Sequence, residues 1–378
     1  MKRIVYVVGG MLSPNGMSSI LSRKINYLAE HTDYELYMIL TERPDIPWCY
    51  KMNPKIKWVN FNINFDELDT MPMLKKVFNY WKKQRKYRKV FERYLMEVRP
   101  DITVSALRRE INFINKINDG SKKIGEIHFD RTFYRDFNSP YLPSFINSYI
   151  KKKWVNLLIK NLKKLDRFVV LTHEDYGHWP ELDNKTVIPN SITEYHGKSA
   201  KLDSKSAIAV GRYTWQKGFD LLIEAWSIVA NKHPDWTLNI YGSGDPSSYQ
   251  KQIYDKELAQ KIICHPATSN IYDKYRDSSF FILSSRYEGL PLVLLEAMSV
   301  GLPAVSFSCP CGPLDIITNE KDGLLVRNGD TDRLAKQICF MIEHKDLRQK
   351  MGCYARQKSQ EFYPDIIMKL WIELFESL

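Results

Sequence analysis

Residues 279–298 read SFFILSSRYEGLPLVLLEAM and contain, in immediate succession, an apolar run, a polar turn and a second apolar run. The first run, Ser279–Leu283, is rich in Phe and Ile and predicts a buried β-strand. Proline is favourable as the first residue of a helix, so the second run predicts a helix over Pro291–Ser299. A strand that leads through a short turn into a helix is the repeating unit of a parallel α/β sheet.

The same alternation of strand and helix extends over the whole chain. The pattern predicts further strands at Arg3–Val8, Glu35–Leu40, Lys57–Asn62, Asp101–Ser105, Lys123–His128, Arg167–Leu171, Ala207–Val210, Thr237–Tyr241, Ile262–His265, Pro303–Phe307 and Leu324–Val326. It predicts further helices at Ser18–Glu30, Lys75–Val98, Gly218–Ala230 and Asp332–Glu343. Both halves therefore favour an α/β fold with a doubly wound parallel sheet, whose ligands bind at the carboxyl ends of the strands. The polar, turn-rich stretch Pro189–Ser206 predicts the domain boundary.

Length and composition are those of a globular protein with about two domains. The chain has 378 residues, of which 44% are hydrophobic and 26% charged, and this excludes a disordered chain. The six cysteines match no zinc-binding spacing and no C-x-x-C motif, so we expect a reducing cytoplasmic compartment. The N-terminal MKRIVYVVGGML predicts a strand rather than a signal peptide. The longest apolar stretch, Leu290–Phe307, is interrupted by Glu, Pro and Gly, so we expect no transmembrane helix.

The formal net charge of +11 is confined to the N-terminal half of the chain. Residues 1–188 contain 33 basic and 21 acidic residues, whereas residues 189–378 contain 22 and 23. Much of the excess lies in two segments, Lys75–Arg93 and Lys151–Lys164. On a helical projection the first segment is amphipathic. Its apolar arc comprises Val77, Trp81, Phe91, Leu95 and Val98, and its basic arc comprises Lys82, Lys86, Lys89 and Arg93.

Three interpretations of this basic helix are open. A helix of this kind can present an ordinary solvated face opposite its core face. Basic faces with aromatic residues also suit an anionic membrane surface. Binding to nucleic acid is the third interpretation.

Two glycine-rich turns follow predicted strands. The first, Gly9-Gly-Met-Leu-Ser-Pro-Asn-Gly16, leads into a helix, where bare amides favour an anion such as phosphate, although a tight turn with a Ser cap fits equally. The other, Tyr241-Gly242-Ser-Gly244, would let backbone approach a ligand closely, or would be an ordinary loop.

The turn Val210-Gly211-Arg212-Tyr-Thr-Trp-Gln-Lys217-Gly218 places two cations directly after a strand. A guanidinium and an ammonium that converge there would neutralise a diphosphate. Two solvated cations are the alternative interpretation.

The loop and helix after Ser279–Leu283 contain two carboxylates. Glu288 lies on the loop, and Gly289, Leu290 and Leu292 offer free amides at the start of the helix. Glu296 is the single charge in a helix that is otherwise apolar on every face, so we expect it to be buried and partnered. Sugar or ribose hydroxyls would supply partners, and protein groups are the alternative.

The stretch Glu126-Ile-His128-Phe-Asp130 ends a predicted strand of the first half. We expect His128 to face a cleft between the domains. A structural role for this single histidine is the alternative.

Together these motifs resemble those of the large family of retaining nucleotide-sugar glycosyltransferases that includes many bacterial cell-surface polysaccharide enzymes. The matching features are the early glycine turn, the Arg212 and Lys217 pair, the Gly242 turn and an E-x7-E motif from Glu288 to Glu296. Segments of the run 301–326 also match, and the resemblance is strong over 207–330 and weaker over 1–190.

The resemblance implies the architecture called GT-B, in which two Rossmann-like domains face each other across a cleft. Residues 1–190 would form the acceptor-side domain and residues 191–360 the domain that binds the donor. Residues 361–378 would form a helix that crosses back to the first domain.

The resemblance also implies a role for individual residues. Arg212 and Lys217 would hold the donor diphosphate and stabilise the leaving group, Glu288 would contact hydroxyls of the donor sugar, and Glu296 would hold the ribose. His128 would lie near the reacting centre. The remaining donor-binding residues implied are Gly16, Gly211, Gly242, Thr268, Gly289, Leu290 and Leu292, with the nucleobase near Pro266–Thr268.

The implied activity is the retaining transfer of a hexose or N-acetylhexosamine from a nucleotide-sugar, with a UDP-sugar favoured, to a glycan or lipid-linked acceptor. The stretch Cys309–Pro313 is similar to that of members that use UDP-galactose or UDP-N-acetylhexosamine. Cations and helix-end amides would take the place of a divalent metal, and no cofactor is expected. A front-face reaction, in which the leaving phosphate helps to deprotonate the acceptor, is favoured over a carboxylate nucleophile.

Two other classes of function are open. One is a nucleotide-sugar epimerase or phosphorylase of the same architecture, and the other is a non-catalytic binder of membranes or nucleic acid. The four residues Arg212, Lys217, Glu288 and Glu296 argue against the second class, so we expect no nucleic-acid partner. We expect a cytoplasmic protein, with an anionic surface on the cytoplasmic face of the inner membrane as a candidate partner of the N-terminal domain.

Overall fold

The computed structural model of the chain describes residues 1–10, 16–43, 50–128, 131 and 143–378. Contacts divide the chain into two compact units. Unit 1 contains Met1–Leu171, Asp175–Ile188 and Met368–Leu378, and unit 2 contains Thr172–Glu174 and Pro189–Ile367. Among the described residues, no helix combines the length and the apolar character needed to cross a membrane.

Unit 1 is built on a parallel sheet that has seven strands within the described part of the chain. The strands are β1 (Arg3–Val7), β2 (Glu35–Leu40), β3 (Lys57–Asn60), β4 (Ile102–Ser105), β5 (Lys122–Glu126), β6 (Arg167–Val170) and β7 (Lys185–Val187). Their order is β3-β2-β1-β4-β5-β6-β7, so the winding direction reverses between β1 and β4. Ile4–Val7 are at most 1% exposed, as expected of a central strand covered on both faces.

Helices connect the strands of both units. Those in the described residues are α1 (Gly16–His31), α2 (Met73–Val98), α3 (Ser144–Leu162), α4 (His173–Gly177), α5 (Phe219–Lys232), α6 (Ser247–Asp255), α7 (Ile271–Arg276), α8 (Leu292–Ser299), α9 (Pro313–Ile316), α10 (Thr331–Glu343), α11 (Lys345–Ser359) and α12 (Pro364–Glu376).

Unit 2 is built on a second parallel sheet, which has six strands in the described residues. These are β8 (Ser206–Val210), β9 (Thr237–Gly242), β10 (Ile262–Pro266), β11 (Phe280–Leu283), β12 (Ala304–Ser308) and β13 (Gly323–Arg327). Their order is β10-β9-β8-β11-β12-β13, which places the reversal between β8 and β11. The apolar sides of α5 and α10 belong to the apolar cluster of this sheet, which includes the fully buried Trp226.

The predicted α/β fold class, with two doubly wound parallel sheets, is confirmed. The predicted strands agree with the observed ones to within two residues at each end. Helix α8 begins one residue after Pro291, whose ψ of 89° lies outside the helical range. Strand β7 was not predicted, because its three half-buried residues carry no readable periodicity.

The apolar arc of α2, which contains Val77 and Trp81, is only partly buried. Both side chains are exposed, whereas Phe91 and Leu95 are fully buried. Among the described side chains of α2, the apolar cluster of unit 1 includes only those from Tyr80 onward. The first two turns of α2 therefore continue the apolar periodicity, but none of their described side chains belongs to the apolar cluster of unit 1.

Candidate functional site

The candidate site of unit 2 lies where its sheet reverses direction. β8 and β11 are neighbours, and the turns that follow them begin at Gly211 and Ser284. In doubly wound sheets the crevice at the carboxyl ends of such strands is where ligands bind. The sequence places Arg212 and Lys217 on the first turn and Glu288 on the second, so the topology brings residues from distant parts of the chain to one edge.

Three glycines allow these turns to approach each other. A Cβ on Gly242 would lie 2.0 Å from the carbonyl oxygen of Gly211, and one on Gly218 would lie 2.1 Å from that of Ser284. Gly218 also has a φ of +62°. At Gly211 a Cβ would press on the aliphatic stem of Lys217 at 3.0 Å. The predicted donor-site residues Gly211 and Gly242 are thus sites of close approach, where side chains are excluded.

Lys217 and Glu288 form an ion pair at the centre of this site. The Lys217 ammonium donates to Glu288 Oε1 at 2.7 Å, and the two side chains are 13% and 7% exposed. The Ser285 hydroxyl donates to the same oxygen at 2.6 Å. Within the described residues nothing donates a hydrogen bond to Oε2 of Glu288. One carboxylate oxygen is therefore held in place while the other keeps its capacity to accept.

A second pair of charges fixes the two turns relative to each other. The Arg286 guanidinium makes a bidentate pair with Asp220 at 2.8 and 2.6 Å. Although burial opposes ionisation of Asp220, Arg286 holds the pKa of that carboxyl below its ordinary value. The Arg286 backbone amide donates to the carbonyl of Gln216, and Ser284 Oγ donates to that of Lys217. These contacts between the two turns hold Lys217 in position in the absence of a ligand.

The other predicted donor-site residues of unit 2 lie along the same edge. Arg212 is exposed, and its guanidinium has no hydrogen bond or ion pair within the described residues. Leu290 and Leu292 flank Pro291 at the start of α8, with Gly289 just before them. Glu296, predicted to be buried, is half-buried, because α8 leaves the side of its second turn partly open.

Thr268 lies in the turn after β10, two strands away from β8 on the side opposite β11. Its hydroxyl accepts a hydrogen bond from the Asn270 amide. Cys309, at the end of β12, is fully buried, and burial raises the pKa of its thiol well above the ordinary value. The thiol is therefore protonated and is not a nucleophile at neutral pH.

In unit 1, His128 follows β5 by two residues and has a side chain that is 4% exposed. Burial lowers its pKa, so the ring is neutral at pH 7. Neither ring nitrogen hydrogen-bonds to a described residue. The nearest carboxylate, Glu126, lies 3.5 Å away, at an oxygen that also accepts from Lys24.

Lys24 and Glu126 form a buried ion pair behind His128. Burial disfavours the charge on Glu126, and the Lys24 ammonium nevertheless holds the pKa of that carboxyl below its ordinary value. The ammonium also lies 3.8 Å from the centre of the Trp371 ring. Asp130 and residues 11–15 of the predicted anion-binding turn lie outside the described residues, and Gly16 is the first residue of α1.

Sequence reasoning missed the contributions of Ser285, Arg286 and Lys24. Ser285 and Arg286 lie inside the quoted stretch 279–298. No sequence spacing predicts which residue a hydroxyl or a guanidinium on a loop will contact. The position of Lys24 in the middle of a helix gave one signal: a cation on a buried helix face needs a carboxylate. The sequence did not predict the contact between Lys217 and Glu288 either, since the two residues are 71 positions apart.

Comparison with known proteins gives matches to both the sequence and the fold. Residues 191–358 match the family model of glycosyl transferases group 1. The chain is 31% identical over 228 residues to an uncharacterized glycosyltransferase of Haemophilus influenzae, a match covering 57% of this chain and 64% of that protein. It is also 31% identical over 220 residues to the amylovoran biosynthesis glycosyltransferase AmsD of Erwinia amylovora, covering 55% and 62%.

The matched part of the chain spans less than two-thirds of the length of these relatives. Among solved structures, S. aureus TarM in complex with fondaparinux, α-GlcNAc-glycerol and UDP aligns over 99% of this chain and 100% of that one. The TM-score is 0.77 and the sequence identity 17%, so this likeness concerns the fold. Residues 191–358 are therefore similar in sequence to glycosyl transferases group 1, and the chain has the GT-B fold of the glycosyltransferases among these solved structures.

Proposed function

We propose that the protein is a retaining glycosyltransferase that moves a hexose or N-acetylhexosamine from a UDP-sugar to a glycan or lipid-linked acceptor in cell-surface polysaccharide synthesis. The observation that carries this proposal is the pairing of Lys217 with Glu288 at the β8–β11 reversal, with the unpartnered Arg212 on the same edge. The family match over residues 191–358 and the relative AmsD, named for amylovoran biosynthesis, support it.

The diphosphate of the donor would take its charge compensation from Lys217 and Arg212. Phosphate oxygens accept charge-assisted hydrogen bonds from an ammonium and a guanidinium, and helix N-termini favour anions. Lys217 is neutralised by Glu288 when no donor is bound. A bound diphosphate would therefore accept hydrogen bonds from the Lys217 ammonium, in addition to Glu288 or in its place. The Glu288 carboxylate would then be a stronger acceptor for a hydroxyl of the sugar.

Glu288 would hold the donor sugar through its free oxygen. Oε1 already accepts from Lys217 and Ser285, so Oε2 is the atom available to accept from a sugar hydroxyl. Glu296, in the second turn of α8 and half-buried, would accept from the ribose hydroxyls. The turn at Thr268 would lie beside the nucleobase.

The proposed reaction forms a bond from the acceptor oxygen to the anomeric carbon of the sugar and breaks the bond from that carbon to the β-phosphate. The acceptor proton moves to the leaving phosphate on the same face of the sugar, so the anomeric configuration is retained. Lys217 and Arg212 would stabilise the negative charge that develops on UDP, without a metal. Glu288 is already bound to Lys217 and Ser285, which suits it to orientation rather than to nucleophilic attack.

The test is turnover of a panel of nucleotide-sugars with glycan and lipid-linked acceptors, followed by release of the nucleoside diphosphate. Replacing Lys217 by Met should lower kcat/KM by about 100-fold or more, the usual effect of removing one stabiliser of developing charge. The matched control is Lys205→Met, since Lys205 pairs with Asp235 on the surface of the same unit. Full activity of Lys217→Met would contradict the assignment, and conversion of the sugar without an acceptor would indicate an epimerase.

A further inference from the structure

The net charge of the chain resides on two helices of unit 1. α2 carries nine basic and two acidic residues, and α3 carries four basic and no acidic residues. Their combined charge equals the formal net charge of +11, because the remaining 42 basic and 42 acidic residues cancel. The excess therefore lies on these two helices, whereas the charges of the rest of the chain balance.

The same two helices expose large apolar side chains. Phe78 and Trp81 of α2 and Phe145 and Tyr149 of α3 are each 60–72% exposed. Single exposed apolar residues are common on proteins, but a cluster of aromatic ones marks an interaction surface. We name the exposed faces of α2 and α3 the basic–aromatic surface.

On α2 the aromatic and basic residues share one face. Phe78, Lys82, Arg85 and Lys89 follow one another at spacings of four, three and four residues, which aligns them along the helix. Trp81 lies beside Phe78. The side chains of Lys82, Arg85 and Lys89 make no ion pair or hydrogen bond with any described residue, so their charge is available to a partner.

On α3 the arrangement is repeated. Phe145, Tyr149, Lys153 and Leu157 recur every four residues and are all exposed. The Lys153 ammonium lies 5.5 Å from the centre of the Tyr149 ring, so charge and aromatic surface are adjacent. On both helices, the exposed aromatic residues therefore lie closer to the N-terminus than the basic residues that follow them.

Both helices pack on the same side of the sheet of unit 1. Phe91 and Leu95 of α2 and Leu158 and Leu162 of α3 belong to one apolar cluster, together with β1 and β6. The Tyr80 hydroxyl of α2 accepts from Asn112, in the short helical segment 110–112 against which α3 also packs. α2 and α3 therefore both pack against the segment 110–112 and against one apolar cluster of unit 1.

We propose that the basic–aromatic surface docks unit 1 reversibly on a lipid bilayer that contains anionic lipids. Aromatic rings of mixed polarity sit at the level of the lipid headgroups, and each lysine or arginine near the surface is attracted by anionic lipids. A bilayer with anionic lipids complements the charge of these two helices and receives exposed aromatic side chains without a shaped counterpart. This inference is independent of the proposed donor site in unit 2.

The first test is flotation of the full chain with vesicles of phosphatidylcholine alone or with 30% phosphatidylglycerol. We expect binding only with the anionic lipid, and a loss of binding as salt is raised. The triple variant Lys82→Gln, Arg85→Gln, Lys89→Gln should bind about 100-fold more weakly, since each charge near the surface contributes about fivefold. Equal binding to both vesicles, or an unchanged triple variant, would overturn the proposal.

The second test separates a bilayer from a soluble polyanion. The variant Phe78→Ser, Trp81→Ser should lose vesicle binding but keep its retention on heparin, because only a bilayer receives the rings. Tyr254→Ser is the matched control, an exposed aromatic residue of unit 2, and should bind vesicles as the wild type does. If the aromatic variant floats as well as the control, the surface binds polyanions and the bilayer proposal is wrong. A cooperative thermal unfolding transition at the Tm of the wild type would show that each variant is folded.

Discussion

The Lys217–Glu288 pair allows a quantitative prediction for the protein without ligand. Two unit charges 2.7 Å apart attract each other by about 6 kcal/mol at an effective dielectric constant of about 20, before desolvation is counted. Removing one partner of a buried pair costs about 3–5 kcal/mol, because the other charge is left alone. Since Ser285 still donates to Glu288 and both side chains keep slight exposure, we expect Lys217→Met to lower the free energy of unfolding by about 2–3 kcal/mol.

The assay is thermal and urea unfolding of the full chain in a double-mutant cycle with Glu288→Gln. For a domain of this size, the loss in Lys217→Met corresponds to a Tm lowered by about 4–12 °C. The double variant buries no charge at this position, so it should be more stable than the sum of the two single effects allows. Lys205→Met, which breaks the exposed pair with Asp235, should change the stability by less than about 1 kcal/mol. Strictly additive single effects would refute the coupling.

Three further predictions concern other buried groups. Arg348→Met should destabilise unit 2 by about 3 kcal/mol, because the buried guanidinium donates to three backbone carbonyls, and urea unfolding measures it. Burial lowers the folded-state pKa of His128, so its contribution to stability declines as the pH falls below about 6.5; the difference in Tm between wild type and His128→Gln should shrink from pH 8 to pH 5. Gly242→Ala should weaken UDP binding at least tenfold in calorimetry, because its Cβ would displace Gly211.

The sequence was sufficient to predict the strands whose residues are buried on both faces of a sheet. Apolar runs such as Ile4–Val7 and Phe280–Leu283 are covered on both faces, so composition alone indicates strands there. Periodicity alone did not show which part of the apolar arc of α2 is buried. Val77 and Trp81 lie on the same arc of α2 as Phe91 and Leu95, yet they are exposed and outside the apolar cluster formed by the described residues.

For the candidate site, the sequence predicted which turns carry charged groups but not how those groups pair. The adjacency of β8 and β11 follows from doubly wound topology, and it explains why Lys217 can meet Glu288. That they meet directly, with Ser285 on the same oxygen, depends on side-chain positions that Gly211 and Gly218 permit. The buried environment of His128, with Lys24 behind Glu126, likewise depends on contacts between distant segments.

The central claim is that Lys217 binds the donor diphosphate and is shared with Glu288. Calorimetric titration of the full chain with UDP tests it most directly, because the two partners should have opposite effects. Lys217→Met should weaken UDP binding by about 10-fold or more, since it removes a charged donor. Glu288→Gln should leave UDP binding unchanged or tighter, since it frees the ammonium, while it abolishes sugar transfer. If Glu288→Gln weakens UDP binding as much as Lys217→Met does, the account of this site is wrong.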